Sequence, residues 1–165
     1  MLTSLLVKLN RQIKGDVDIH IAHEVDLTIG EKRNFLLENA PGEYVCFIDD
    51  DDDISDNYID LLIEGINKGV DCCSLKGIIT TDGENPKPFT HSLDYSEWFE
   101  KNGVYFRGIN HLNCVKTSIA REIGFPEKNH GEDYDYSMKL MKSGLLKTEH
   151  KIEETIYYYK YISKK

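Results

Sequence analysis

The feature that most constrains this chain is an apolar run, Tyr44-Val45-Cys46-Phe47-Ile48, that ends directly on five consecutive aspartates, Asp49 to Asp53. A short continuous apolar run bounded by Pro41 and Gly42 suits a strand buried on both faces, as in parallel sheets. Carboxylates cannot follow it into a core, so the run marks a strand end at the protein surface. In open α/β sheets that carboxyl end is where ligands bind. Five neighbouring negative charges repel one another, and a divalent cation is the simplest neutraliser. Aspartate oxygens suit Mg²⁺ or Mn²⁺, which also hold phosphates. The plainer alternative is a solvated acidic loop that caps the next helix. An EF-hand is excluded, because Ile54 stands where its loop needs Gly, Asp60 where it needs Glu, and a strand precedes the run.

Helical and strand patterns alternate on either side. Leu2, Leu5, Leu6, Leu9 and Ile13 follow i, i+3, i+4 spacing and predict a helix over 2–13. Val17, Ile19 and Ile21 alternate as a strand does. Gly30 opens a second helix that Pro41–Gly42 ends, and Ser55 is a candidate N-cap for a third that closes at Gly69. Residues 70–80 read as strand and 82–92, with two prolines and a glycine, as loop. A helix is expected from Thr117 or Ser118 to Gly124, another from Glu132 to Gly144, and a Tyr-rich strand from Ile152 to Ile162. The order implies an α/β layer fold in a single domain over 1–165. The strand that usually precedes the first helix of a doubly wound fold is absent from the pattern.

Charge and cysteine content exclude several classes. Twenty Lys and Arg against 29 Asp and Glu leave a net charge of −9, which argues against nonspecific binding to nucleic acid or anionic membrane. No apolar run approaches the ~20 residues that span a bilayer, and the amphipathic start does not read as a signal peptide. Cys46, Cys72, Cys73 and Cys114 lack zinc-ligand spacing and read as buried free thiols. That pattern fits a reducing compartment, hence a cytoplasmic protein.

Two ordered motifs carry a resemblance. The first is IGEKRNFLLENAPGEYVCFIDDDDDIS, with Lys32-Arg33-Asn34 at a helix start, Ala40-Pro41-Gly42-Glu43-Tyr44 before the strand, and Asp49-Asp50-Asp51 after it. The second is GEDYDYSMKLMKSG, with Glu132-Asp133 opening a helix. Together they resemble glycosyltransferase family 2, inverting nucleotide-sugar enzymes of the GT-A fold, over residues 15–160. The resemblance implies a Rossmann-like, mixed and mainly parallel sheet flanked by helices. It implies transfer of a sugar from a nucleotide-diphosphate sugar to a glycan or other hydroxyl-bearing acceptor, with Mn²⁺ or Mg²⁺. By the same resemblance Asp51 binds the metal, Asp49 contacts the donor ribose or joins the metal, and Asp50 sits between them. The register stays open, since any of residues 49 to 53 supplies an Asp-x-Asp. Asp133 is implied as general base, with Glu132 orienting it or binding acceptor. Lys32, Arg33 and Asn34 are implied to face phosphate, Glu24 and Asp26 to read the base, and His150 to serve as a late metal ligand.

Each of these residues has a structural reading too. Glu132 and Asp133 suit a helix N-terminus without any catalysis, and Lys32 to Asn34 suit a solvated helix surface. His111 and Asn113 are candidates to hold a hydroxyl, and Trp98 to stack on a sugar or to fill the core. A retaining glycosidase also needs two carboxylates, but not five acids in a row. A non-catalytic GT-A-like module and a nucleotidyltransferase are the competing functions. Against the latter, no Gly-rich phosphate loop is present.

Overall fold

The computed structural model describes residues 2–163. Its elements run α1 (Leu2–Gln12), α2 (Ile29–Asn39), β1 (Tyr44–Val45), β2 (Asp53–Ile54), α3 (Tyr58–Ile66), β3 (Cys72–Cys73), β4 (Leu75–Thr81) and β5 (Glu84–His91). Then come β6 (Phe99–Lys101), β7 (Val104–Arg107), β8 (Val115–Lys116), α4 (Thr117–Ile123), α5 (Glu132–Ser143), β9 (Glu149–His150) and β10 (Thr155–Tyr161). One sheet has the order β1-β8-β3-β9 and the other β2-β10-β4-β5-β7-β6. Both are mixed: among the described residues β10–β4, β3–β9 and β5–β7 pair parallel, and the other pairings are antiparallel. No described helix is long and apolar enough to cross a membrane.

Adjacent cysteines show how the first sheet is sandwiched. Successive strand residues point to opposite faces. Cys73 joins a cluster with Leu5 and Leu9 of α1 and Ile59 and Leu62 of α3, whereas Cys72 joins Leu37 of α2, Ala120 of α4 and Tyr136 and Leu140 of α5. Cys114 and Val115 divide in the same way. The sheet thus has helices on both faces, and α2 and α5 share one of them. All four thiols are free, three of them buried.

Several local expectations are corrected. Residues 17–22 form no ladder, although Val17 and Ile19 pack on the core. Strand 70–80 breaks at Ser74, with β3 in one sheet and β4 in the other. Residues 84–91 are a strand, not a loop. Asp82 and Gly83, both at positive φ, turn the chain into a hairpin with β4. The prolines at 86 and 88 are tolerated because β7 pairs only with Phe89 to His91, so they lie where β5 has one neighbour. Ser55 does not cap α3, because its N–H donates to Ile156 O at 3.0 Å and Asn57 takes the cap position.

Candidate active site

The acidic run connects the two sheets. Phe47 N–H donates to His111 O at 3.0 Å, which extends the pairing of the β1 chain beyond Val45. Asp52 N–H then donates to Asp49 O at 3.1 Å in a turn, and Asp53 enters β2 opposite Tyr158. The five carboxylates therefore have different surroundings. Asp52 is buried, accepting from the Tyr157 hydroxyl and the Lys160 N–H, each at 2.8 Å. Burial pushes its carboxyl up to about 7, and the charges of Asp49 and Asp51 add to the rise. Asp53 pairs with Lys8 at 2.8 Å. Asp50 is exposed in the turn, and Asp51 is half-buried. Asp52 and Asp53 thus hold contacts within the fold, to β10 and to α1.

Asp49 is tied to the second motif through Arg33. The Arg33 side chain is only 8% exposed, and its Nη2 donates to Asp49 Oδ1 at 2.9 Å. Its Nη1 donates to Glu132 Oε1 at 2.5 Å, and the guanidinium lies 5.7 Å from the Phe125 ring centre. On the other side of Asp49, buried His111 places Nε2 3.6 Å from Oδ2, and neither ring nitrogen has a hydrogen-bond partner among the described residues. Burial pushes the Asp49 carboxyl up, but His111 and Arg33 outweigh it and hold it well below the usual carboxylate range.

Asp133, the next residue, is half-buried and accepts from the Tyr134 N–H at 2.8 Å. Tyr159 relates it to the acidic run. Burial pushes the Tyr159 hydroxyl up to about 12, and Asp49, Asp52 and Asp133 all add to that rise. The two motifs therefore act on one region beside β10. Trp98 borders it: Nε1 donates to Ser137 Oγ at 3.2 Å, its ring meets Tyr134 edge-on at 5.2 Å, and Arg107 lies 4.4 Å over its face. Trp98 is half-buried, so neither a simple core role nor a free platform describes it.

Other candidates lie elsewhere or have different work. The backbone N–H groups at the start of α2 already have partners within the fold. Thr28 and Glu31 form a capping box, Ile29 N–H donates to Asn129 Oδ1 at 3.0 Å, Gly30 N–H to Lys128 O at 3.2 Å, and Lys32 N–H to Thr28 O at 3.0 Å. A Cβ on Gly30 would lie 1.8 Å from Pro126 O, so only glycine permits this approach. Asn34 clamps Phe125, donating to its carbonyl at 2.9 Å and accepting its N–H at 2.8 Å. Lys32 is half-buried, and among the described residues its side chain makes no hydrogen bond. Asn113 holds the Asn110 N–H, at 3.0 Å, and Cys73 O, at 2.9 Å, and is a structural clamp. His150 sits in β9, at the opposite edge of its sheet from β1, with Nδ1 3.1 Å from Lys68 Nζ. That placement separates it from Asp49 and Asp51. Asp26 is exposed, while Glu24 is half-buried with one carboxylate oxygen, Oε2, buried and unpartnered.

Sequence reasoning passed over Arg107 and read Tyr157 and Tyr159 only as part of a Tyr-rich strand. An alternating Tyr-x-Tyr was a signal that both tyrosines share a face, but nothing local distinguished Arg107.

Comparison with known proteins identifies the fold and the family. The fold is similar to that of S. aureus TarS 1-349 in complex with UDP-GlcNAc, with a TM-score of 0.63 and 20% identity over 97% of this chain and 46% of the other. S. aureus TarS 1-349 alone matches with a TM-score of 0.59 and 20% identity, covering 81% of this chain and 40% of that one. Its complex with UDP gives 0.53 and 20% identity over the same shares. The chain spans less than half the length of these structures. The likeness shows a GT-A type of fold. No curated protein matches the sequence. The sequence model of Glycosyl transferase family 2 matches residues 7–124, well over half of the chain, and the chain belongs to that family.

Proposed function

We propose that this domain transfers a sugar from a nucleotide-diphosphate sugar to an acceptor hydroxyl, with inversion at the anomeric carbon. The observation that carries the reading is the Arg33 bridge between Asp49 of the first motif and Glu132 of the second. The half-buried Asp49 and the buried Glu132, 83 residues apart, are held by one buried cation, and the half-buried carboxylates Asp51 and Asp133 lie within two residues of them. A purely structural acidic loop gives no reason for that convergence.

Asp133 is the general base in this reading. An acceptor hydroxyl becomes acidic only as its bond to carbon forms, so a carboxylate set against it takes the proton during displacement. Glu132, fixed by Arg33, keeps the start of α5 in place and so orients Asp133. The unpartnered Glu24 oxygen suits a donor group of the base or ribose. Lys32, with its ammonium unspent, suits an outer phosphate. UDP-sugars are the donors to try first, because the TarS structures hold UDP-GlcNAc and UDP.

Among the described residues no group of three His, Cys, Asp or Glu is arranged to hold a metal ion. The donor set instead fits a divalent ion that arrives with phosphate oxygens and takes one or two protein carboxylates. Asp51 would hold it, with Asp49 as the second candidate carboxylate. Mn²⁺ or Mg²⁺ bound there would neutralise charge on the departing diphosphate.

The test is release of UDP from UDP-GlcNAc with Mn²⁺, with and without hydroxyl acceptors, for the wild type, Asp51→Ala and Asp133→Asn. Loss of UDP binding in the first variant, and retained binding with lost turnover in the second, are expected. Donor binding without turnover in the wild type across acceptors favours a non-catalytic module. Pyrophosphate release from a nucleoside triphosphate favours a nucleotidyltransferase.

A further inference from the structure

Arg107 ends β7, in the sheet that reaches the candidate site through β10. Its guanidinium is half-buried, lying over the Trp98 face at 4.4 Å and 5.9 Å from the Tyr105 ring centre. Among the described residues no oxygen accepts a hydrogen bond from it, and no carboxylate pairs with it. A guanidinium carries five N–H donors in a planar fork suited to two oxygens of a carboxylate or phosphate. Leaving all of them unspent in a half-buried position is costly unless a ligand uses them.

Its surroundings assign the side. Trp98 is tied by Ser137 and Tyr134 to the first turns of α5, the helix that presents Asp133. Arg107 also lies within electrostatic reach of both Asp133 and Tyr159. Displacement with inversion sets the attacking hydroxyl and the leaving group on opposite faces of the sugar. A cation beside the base therefore stands with the acceptor, while Asp51 stands with the departing diphosphate.

We infer that Arg107, held flat on Trp98, binds a negatively charged group of the acceptor, so that the acceptor is an anionic hydroxyl compound bearing a phosphate or carboxylate. This rests on the reading of Asp133 as the base. Tyr134, 46% exposed, and Trp98 add an aromatic border on which an acceptor ring can lie.

Calorimetric titration of glucose, glucose 6-phosphate and glucuronate into the protein tests it, with UDP and Mn²⁺ titrated into the same samples. Glucose 6-phosphate or glucuronate is expected to bind about tenfold or more tightly than glucose, as a charge-assisted fork permits. Arg107→Gln should remove that preference and leave UDP affinity unchanged, and Arg107→Lys should keep part of it. In the wild type the preference should shrink as ionic strength rises from about 0.05 to about 0.5 M, a result that needs no variant to fold. The inference is overturned if the wild type shows no anionic preference, if Arg107→Gln keeps it, or if that variant weakens UDP instead. Loss of UDP binding by the wild type would strike the donor reading alone, because the anion titrations do not depend on it.

Discussion

Arg33 and Glu132 stand 99 residues apart in the chain and meet at 2.5 Å, both almost fully buried. A buried cation between two carboxylates is costly to desolvate, and its removal is costlier, since the acids then have no counter-charge. Arg33→Met should therefore lower stability by about 3–5 kcal/mol. It should also loosen the start of α5, so that turnover falls more than the loss of folded protein explains. Urea denaturation followed by assay at matched folded fraction checks both parts. A stability within about 0.5 kcal/mol of wild type would show that the bridge does not hold the motifs.

Asp51 and Asp52 are neighbours with separable roles. Asp52→Ala strands the Tyr157 hydroxyl and the Lys160 N–H, and should destabilise by about 1–3 kcal/mol with UDP binding retained in the folded fraction. Asp51→Ala should do the reverse, with a melting temperature near wild type and weakened Mn²⁺–UDP binding. Thermal melts and UDP titrations on both proteins separate the two, and exchanged outcomes would move the metal-facing register by one residue.

Gly30 allows α2 to touch the segment before α5. With a Cβ on residue 30 only 1.8 Å from Pro126 O, Gly30→Ala must displace that backbone. A cost of about 1–3 kcal/mol is expected, as for other overpacked sites. Hydrogen exchange should show faster opening around 126–134. Unchanged exchange there would mean the approach is absent in solution.

Asp71 supplies a pH signature away from the site. Burial pushes its carboxyl up, but Lys116 at 2.9 Å and the Lys147 and Thr148 N–H groups outweigh it and hold the pKa at about 2. The folded value lies below the unfolded one, near 3.9. The stabilisation is thus fully present above about pH 4 and lost as pH falls through about 2. Asp71→Asn should cost on the order of 2 kcal/mol at neutral pH, and the gap to wild type should close in acid. A gap independent of pH would assign the loss to packing.

Local pattern carried the reading of α1, α4, α5 and β10, because amphipathic spacing and caps are properties of neighbouring residues. The same local logic missed β5, whose prolines read as loop. Only the sheet shows that β5 has one neighbour where they fall. It also placed Glu132 and Asp133 correctly at a helix start.

From its sequence alone, then, this chain declared its layered α/β class, its acidic strand end and its two paired motifs. Tertiary structure alone decided which acids serve the fold, turned Arg33 inward to join the motifs, spent the N–H groups of α2 on a capping box and on residues 128 and 129, and left Arg107 unspent. The physical reason is that helix and strand signals repeat over a few residues. Charge partnership and burial instead depend on contacts between residues about a hundred positions apart, which no local periodicity encodes.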